Sequence, residues 1–86
     1  MGSETTSTAR GRTVVDARVA DLGARLRGRR LDLGHTQADL AELTGLTRGT
    51  INRLERGSTD ISVGRLLRIC DALGCALSEL VTAVDE

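Results

Sequence analysis

Gly49, Asn52, Arg53 and Arg56 recur at i, i+3, i+4 and i+7, so on a helix they share one face, with Arg48 at its edge. The chemistry these side chains offer is hydrogen bonding rather than bond making. A guanidinium fork pairs bidentately with guanine, and a carboxamide with adenine, in the major groove of duplex DNA. Gly49 lets the backbone come close to a partner. The opposite side carries Ile51, Leu54 and Glu55. An apolar side can hold such a helix on a scaffold while the cationic side is bared. Arg48, Gly49, Asn52 and Arg53 are the candidate base-reading set. Arg56 can read bases or bind phosphate. Taken alone, an Arg-rich helix face is an ordinary solvated surface, and the competing reading has to be beaten by what flanks it.

Residues suited to catalysis are sparse. His35 is the only His, and no second metal ligand or nucleophile is arranged around it. Two cysteines, Cys70 and Cys75, make neither a disulfide framework nor a zinc site. There is no nucleophile–base pair and no phosphate-cradling Gly loop. The sequence predicts no enzyme, no cofactor and no metal.

The elements that must position the reading face come next. Thr36 can cap a helix through its hydroxyl, and Asp39 three positions on gives a capping-box pattern. Leu40, Ala41 and Thr44 share one face, with Leu43 beside them, and Gly45 can end the helix in the left-handed conformation. Leu46 is an apolar residue inside the turn, Thr47 caps the next helix and Gly57 ends it. The reading is a helix over 36–44, a tight turn, and a second helix over 47–56. Helix N-termini favour anions through their free N–H groups and dipole. Thr36, Gln37 and Thr47 are therefore the candidate phosphate set, joined by Arg56 and by Ser58 in the following loop.

This stretch, TQADLAELTGLTRGTINRLERG, resembles the helix-turn-helix of the phage Cro and repressor proteins, the group also called XRE-like regulators. The matching residues are Gln37, Ala41, Gly45, Ile51, Leu54 and the Glu55-Arg56-Gly57 ending. The resemblance continues through Leu22 to Arg30 upstream and Leu66 to Gly74 downstream, covering residues 16–84. It implies that Gln37 contacts the DNA backbone and buttresses base-reading side chains. It also implies a structural salt bridge between Arg30 and Glu55, which accounts for a carboxylate on the inward face. Cys70 and Cys75 fall where the family has small apolar core residues, so they are expected to be inert buried thiols rather than a redox pair. The loop 58–61 departs from relatives in which it is basic: here it holds Asp60 and no base.

The remaining chain fits the same plan. Val15, Val19, Leu22 and Leu26 give helix 1 over 16–33. Gly23 and Gly28 weaken it by about 1 kcal/mol each against Ala, and Gly34 ends it. Ser62 caps helix 4 over 63–73, whose apolar stripe is read as Val63, Leu66, Leu67, Ile69, Cys70 and Leu73, with Gly74 at its end. Helix 5 is expected over 77–83. Residues 1–13 read as a disordered arm and residues 14–86 as the DNA-binding domain. Arg10 and Arg12 in that arm either reach DNA or belong to a solvated tail. The expected architecture is all-α, a compact five-helix Cro/repressor-like domain with helices 2 and 3 forming the helix-turn-helix.

Composition agrees with packed helices. The 86 residues include no Phe, Trp, Tyr or Pro, so Leu, Val, Ile and Ala must make the core. Missing aromatics argue against stacking on single strands. The formal net charge is zero, against the basic balance usual for DNA binding. Yet Arg25, Arg27, Arg29 and Arg30 cluster in one segment and Arg48, Arg53 and Arg56 in another, and a local basic surface survives a neutral total. No apolar run could span a membrane, and the expected location is cytoplasmic. The resulting expectation is a sequence-specific regulator of transcription, a repressor, whose partner is double-stranded DNA. It is expected to act as a homodimer using Leu77, Leu80, Val81 and Val84 of the C-terminal helix, unless that helix closes the monomer core. The alternative is an antitoxin or protein-interaction module that keeps the fold and binds DNA weakly or not at all.

Overall fold

The computed structural model describes residues 14–58 and 60–80, with side chains placed from residue 16. Among these, helix α1 spans Val14–Asp32, α2 Gln37–Thr44, α3 Arg48–Glu55 and α4 Val63–Leu73. A single 3-10 turn follows at Leu77–Glu79. The expected fifth α-helix is thus corrected: its first residues form that short turn, and its remainder lies outside the described residues. The expected arm over 1–13 also lies outside them.

The helix ends are set by side chains anticipated from sequence. Thr36 Oγ accepts the Asp39 N–H at 3.0 Å while the Asp39 carboxylate accepts the Thr36 N–H at 2.8 Å, a complete capping box. Thr47 Oγ accepts from the Thr50 N–H and Ser62 Oγ from the Arg65 N–H. Gly45 closes α2 at φ 75°, and its N–H bonds the Ala41 carbonyl at 2.9 Å. That left-handed residue turns the chain sharply enough for α3 to start three residues later.

Leu26, Leu40, Ala41, Ile51, Leu54, Ile69, Cys70, Leu73 and Leu80 form the core, with Leu22 and Leu46 partly buried against it. Helix α3 packs on both α1 and α2, and α2 also packs on α4. The apolar stripes are narrower than the sequence suggests. Leu43 is 57% exposed, Val63 68% and Leu67 45%, so these three leave the core set read from periodicity. On short helices a stripe of about 100° suffices to meet the neighbours, and the flanks of the apolar face stay wet.

Gly23 explains why α1 lies so close to α3. A Cβ built there would collide with the Leu54 carbonyl oxygen and sit 2.9 Å from that of Glu55. Its glycine is the condition of backbone contact, not merely a weakness in the helix. Gly57, at φ 70°, is pressed likewise: a Cβ there would lie 2.6 Å from Ala20 Cα. Both ends of this contact anchor the C-terminal half of α3 to α1. By contrast nothing lies within 4 Å of a Cβ at Gly28.

Cys70 is buried and Cys75 half-buried, and both are free thiols. The Cys75 N–H bonds the Cys70 carbonyl at 3.0 Å across the left-handed Gly74. Burial, then the neighbouring Cys75, pushes the Cys70 thiol above its ordinary pKa, so it stays protonated and packs as a small hydrophobe. Arg29, not anticipated as structural, donates to the carbonyls of Leu73 at 3.3 Å and Gly74 at 3.1 Å. It thereby satisfies the C-terminal carbonyls of α4 from α1.

Candidate nucleic-acid interface

The exposed side of α3 gathers the sequence-derived set. Arg48, Gly49, Arg53 and Arg56 are exposed and Asn52 half-buried, while Ile51, Leu54 and Glu55 face inward. Helix periodicity on a firmly packed apolar side produces this split. The Arg53 guanidinium folds back along the helix, its NH1 3.5 Å from where a Cβ of residue 49 would sit. The room left by Gly49 is therefore shared with Arg53.

Beneath that surface lies an ion pair. Arg30 Nε donates to Glu55 Oε2 at 2.7 Å and its Nη2 to Oε1 at 2.9 Å, a bidentate fork linking α1 to α3. Both side chains are almost fully buried. The Glu55 hydrogen bonds hold the Arg30 guanidinium above its ordinary pKa against the opposing pull of burial. Its other terminal nitrogen, Nη1, donates to the His35 carbonyl at 2.8 Å, so the same cation fixes the loop before α2.

Gln37 connects this pair to the surface. Its Nε2 donates to Glu55 Oε1 at 3.1 Å, and its Oε1 accepts from Asn52 Nδ2 at 3.4 Å. Arg56 Nη1 donates to Asn52 Oδ1 at 3.4 Å. The resemblance implies that Gln37 buttresses base-reading side chains; the fold shows it bonded to Asn52 and adds Glu55 and Arg56 to the same network. Nothing in the spacing announces that link, because residues 37 and 55 meet only once α2 and α3 have packed.

Arg30, His35, Thr36, Gln37 and Arg48 also line an open cleft at the N-terminus of α2. Thr36 and Thr47 are exposed beside the free N–H groups of their helices. Ser58 differs from the expected phosphate set. Its hydroxyl donates to the Arg53 carbonyl at 3.1 Å, as its N–H does at 3.0 Å, so it completes the end of α3. Its one donor must leave that carbonyl to meet a phosphate. Thr59 lies outside the described residues. Among the described residues no group of three or more His, Cys, Asp and Glu could hold a metal ion. No helix there is long and apolar enough to cross a membrane.

Comparison with known proteins agrees with this geometry. A family model described as Helix-turn-helix matches residues 26–80. An uncharacterized HTH-type transcriptional regulator of Methanothermobacter thermautotrophicus is 43% identical over 61 residues, 71% of this chain and 88% of that protein. The restriction-modification controller protein C.AhdI from Aeromonas hydrophila superposes with a TM-score of 0.72 at 36% identity, over 74% of this chain and 97% of its own. The P22 c2 repressor, solved in complex with a synthetic operator, gives 0.67 at 33% identity, over 71% and 92%.

Proposed function

The chain belongs to the helix-turn-helix family, and from that premise we propose that it is a sequence-specific, double-stranded DNA-binding regulator of transcription, acting as a repressor. Helix α3 enters the major groove. Arg48, Gly49, Asn52 and Arg53 face the base edges, while Thr36, Gln37, Thr47 and Arg56 take phosphates. Ser58 joins the phosphate set only by giving up its bond to Arg53. The observation that carries this reading is the opposition of faces on α3, with Ile51 and Leu54 1% exposed and Arg48, Arg53 and Arg56 open to solvent. The P22 c2 repressor, matched over most of its length, was solved on its operator, which supports the same use of this face.

We propose further that the regulator pairs as a homodimer. Leu80 is 3% exposed and Leu77 packs against the core, so the turn that carries them closes the monomer. Val81 and Val84 lie outside the described residues. Of the exposed large apolar side chains among the described residues (Leu31, Leu33, Leu43, Val63 and Leu67), Val63 and Leu67 lie one turn apart on α4 and form the proposed pairing surface. Two copies related by a two-fold axis would present their α3 helices about 34 Å apart, one turn of DNA.

Selection of bound duplexes from a random pool tests the proposal. The expected product is a near-palindromic sequence, bound less tightly as salt rises because phosphate contacts release counterions. Absence of any enriched sequence, with affinity indifferent to salt, would favour the protein-interaction module, for which the neutral net charge and Asp60 are the supporting features.

A further inference from the structure

The polar links between α2 and α3 have a direction. At one end Glu55 carries a carboxylate, which only accepts; at the other Arg56 carries a guanidinium, which only donates. Two carboxamides, Gln37 and Asn52, lie between them. Gln37 has to turn its NH2 towards Glu55, and does so at 3.1 Å. Its carbonyl is then aimed at Asn52, which answers with Nδ2 at 3.4 Å. The Asn52 carbonyl is left facing Arg56, at 3.4 Å. Turning the Asn52 amide over would set its NH2 against the N–H groups of Arg56 and its carbonyl against that of Gln37, two mismatches at once.

We propose that Glu55 is a positioning residue for base choice: acting through Gln37, it fixes which end of the Asn52 carboxamide meets which edge atom of a base. The inference rests on the DNA-reading function proposed above. Glu55 itself does not touch DNA, being 7% exposed with both carboxylate oxygens held by Arg30. An adenine presents its N6 donor beside its N7 acceptor. A carboxamide with fixed ends accepts that pair in one order and refuses the reverse. The relay does not use up Asn52, since Nδ2 keeps a second hydrogen and Oδ1 a second lone pair. The bonds lengthen from 2.7 Å at the ion pair to 3.4 Å at the surface, so the inner end sets the direction and the outer end can adjust on docking.

The test is a random-pool selection run in parallel on the wild type and its variants. Asn52→Ala first identifies the base pair that Asn52 reads. Glu55→Gln is expected to cut the preference at that base pair about tenfold while the preference set by Arg53 persists, because an amide at 55 can offer Gln37 either a carbonyl or an NH2. Gln37→Leu should do the same, and adding Glu55→Gln to it should change nothing further there. If Glu55→Gln does not fold, the paired replacement Arg30→Met with Glu55→Met removes both buried charges together and should show the same selective loss. A folded Glu55 variant that keeps the preference, or that weakens every position alike, overturns the proposal. So does an Asn52→Ala variant with no position affected. A wild-type chain that enriches no sequence overturns the DNA-reading function and this inference with it. A wild type that reads through Asn52 but ignores changes at Gln37 and Glu55 overturns the relay alone.

Discussion

Arg53 and Thr36 show how differently two exposed residues of one interface should respond to substitution. Arg53 stands exposed on the outer face of α3. Replacing it by Ala should relax the choice at one base pair and cost about 1–3 kcal/mol of specific binding. Competition binding with single-base operator variants checks this. An unchanged ranking of those variants would take Arg53 out of the reading set. Thr36 belongs to the proposed phosphate set, so its loss should weaken all sequences together. The cationic face was legible because Arg and Asn declare their chemistry and the 3.6-residue period declares their side. The link from Gln37 inward to Glu55 was not, because residues 37 and 55 meet only when α2 and α3 pack. Arg29 was hidden likewise, its partners being backbone carbonyls 44 and 45 residues away.

Among the elements, α1 offers an internal comparison. Gly23 and Gly28 look alike in the sequence, and the helix is costed equally for both. In the fold, Gly28→Ala meets open space and should raise stability by up to about 1 kcal/mol. Gly23→Ala drives a methyl into two carbonyl oxygens of α3 and should lower stability and DNA affinity together. Thermal unfolding of the two variants separates them, and shifts of the same sign would contradict the packing described. The start of α2 gives a pH prediction. The Thr36 backbone N–H, bonded to the Asp39 carboxylate, holds that group below its ordinary pKa. A depressed folded value means stability that is present above the unfolded pKa, about 3.9, and lost as pH falls through the folded value. Asp39→Asn should therefore flatten the acid limb of the unfolding curve, measured by circular dichroism below about pH 4. Caps and terminal glycines were readable because each acts within four residues. The breadth of an apolar stripe was not, because Leu43, Val63 and Leu67 satisfy the period yet stay exposed.

For the molecule as a whole, the proposed pairing turns on a neutral net charge and two exposed apolar side chains on α4. Val63 and Leu67 lie outside the core, so Leu67→Glu should leave the thermal midpoint of a dilute sample nearly unchanged. The same change should shift the sedimentation coefficient towards that of a monomer and lower affinity for a two-half-site duplex far more than for one half-site. A variant that sediments as the wild type does would move the pairing surface elsewhere. Leu80, buried in its own chain, is removed from any partner surface.

The backbone contact at Gly23 has a wider meaning. Because α3 is seated by main-chain oxygens and by inward Ile51 and Leu54, its pose owes nothing to residues 48, 49 and 53. On the proposed reading, those outer positions are like type in a fixed printing frame, and substitutions there should change the target site at little cost to folding. Position 52, wired to the interior through Gln37, should be the harder one to reset.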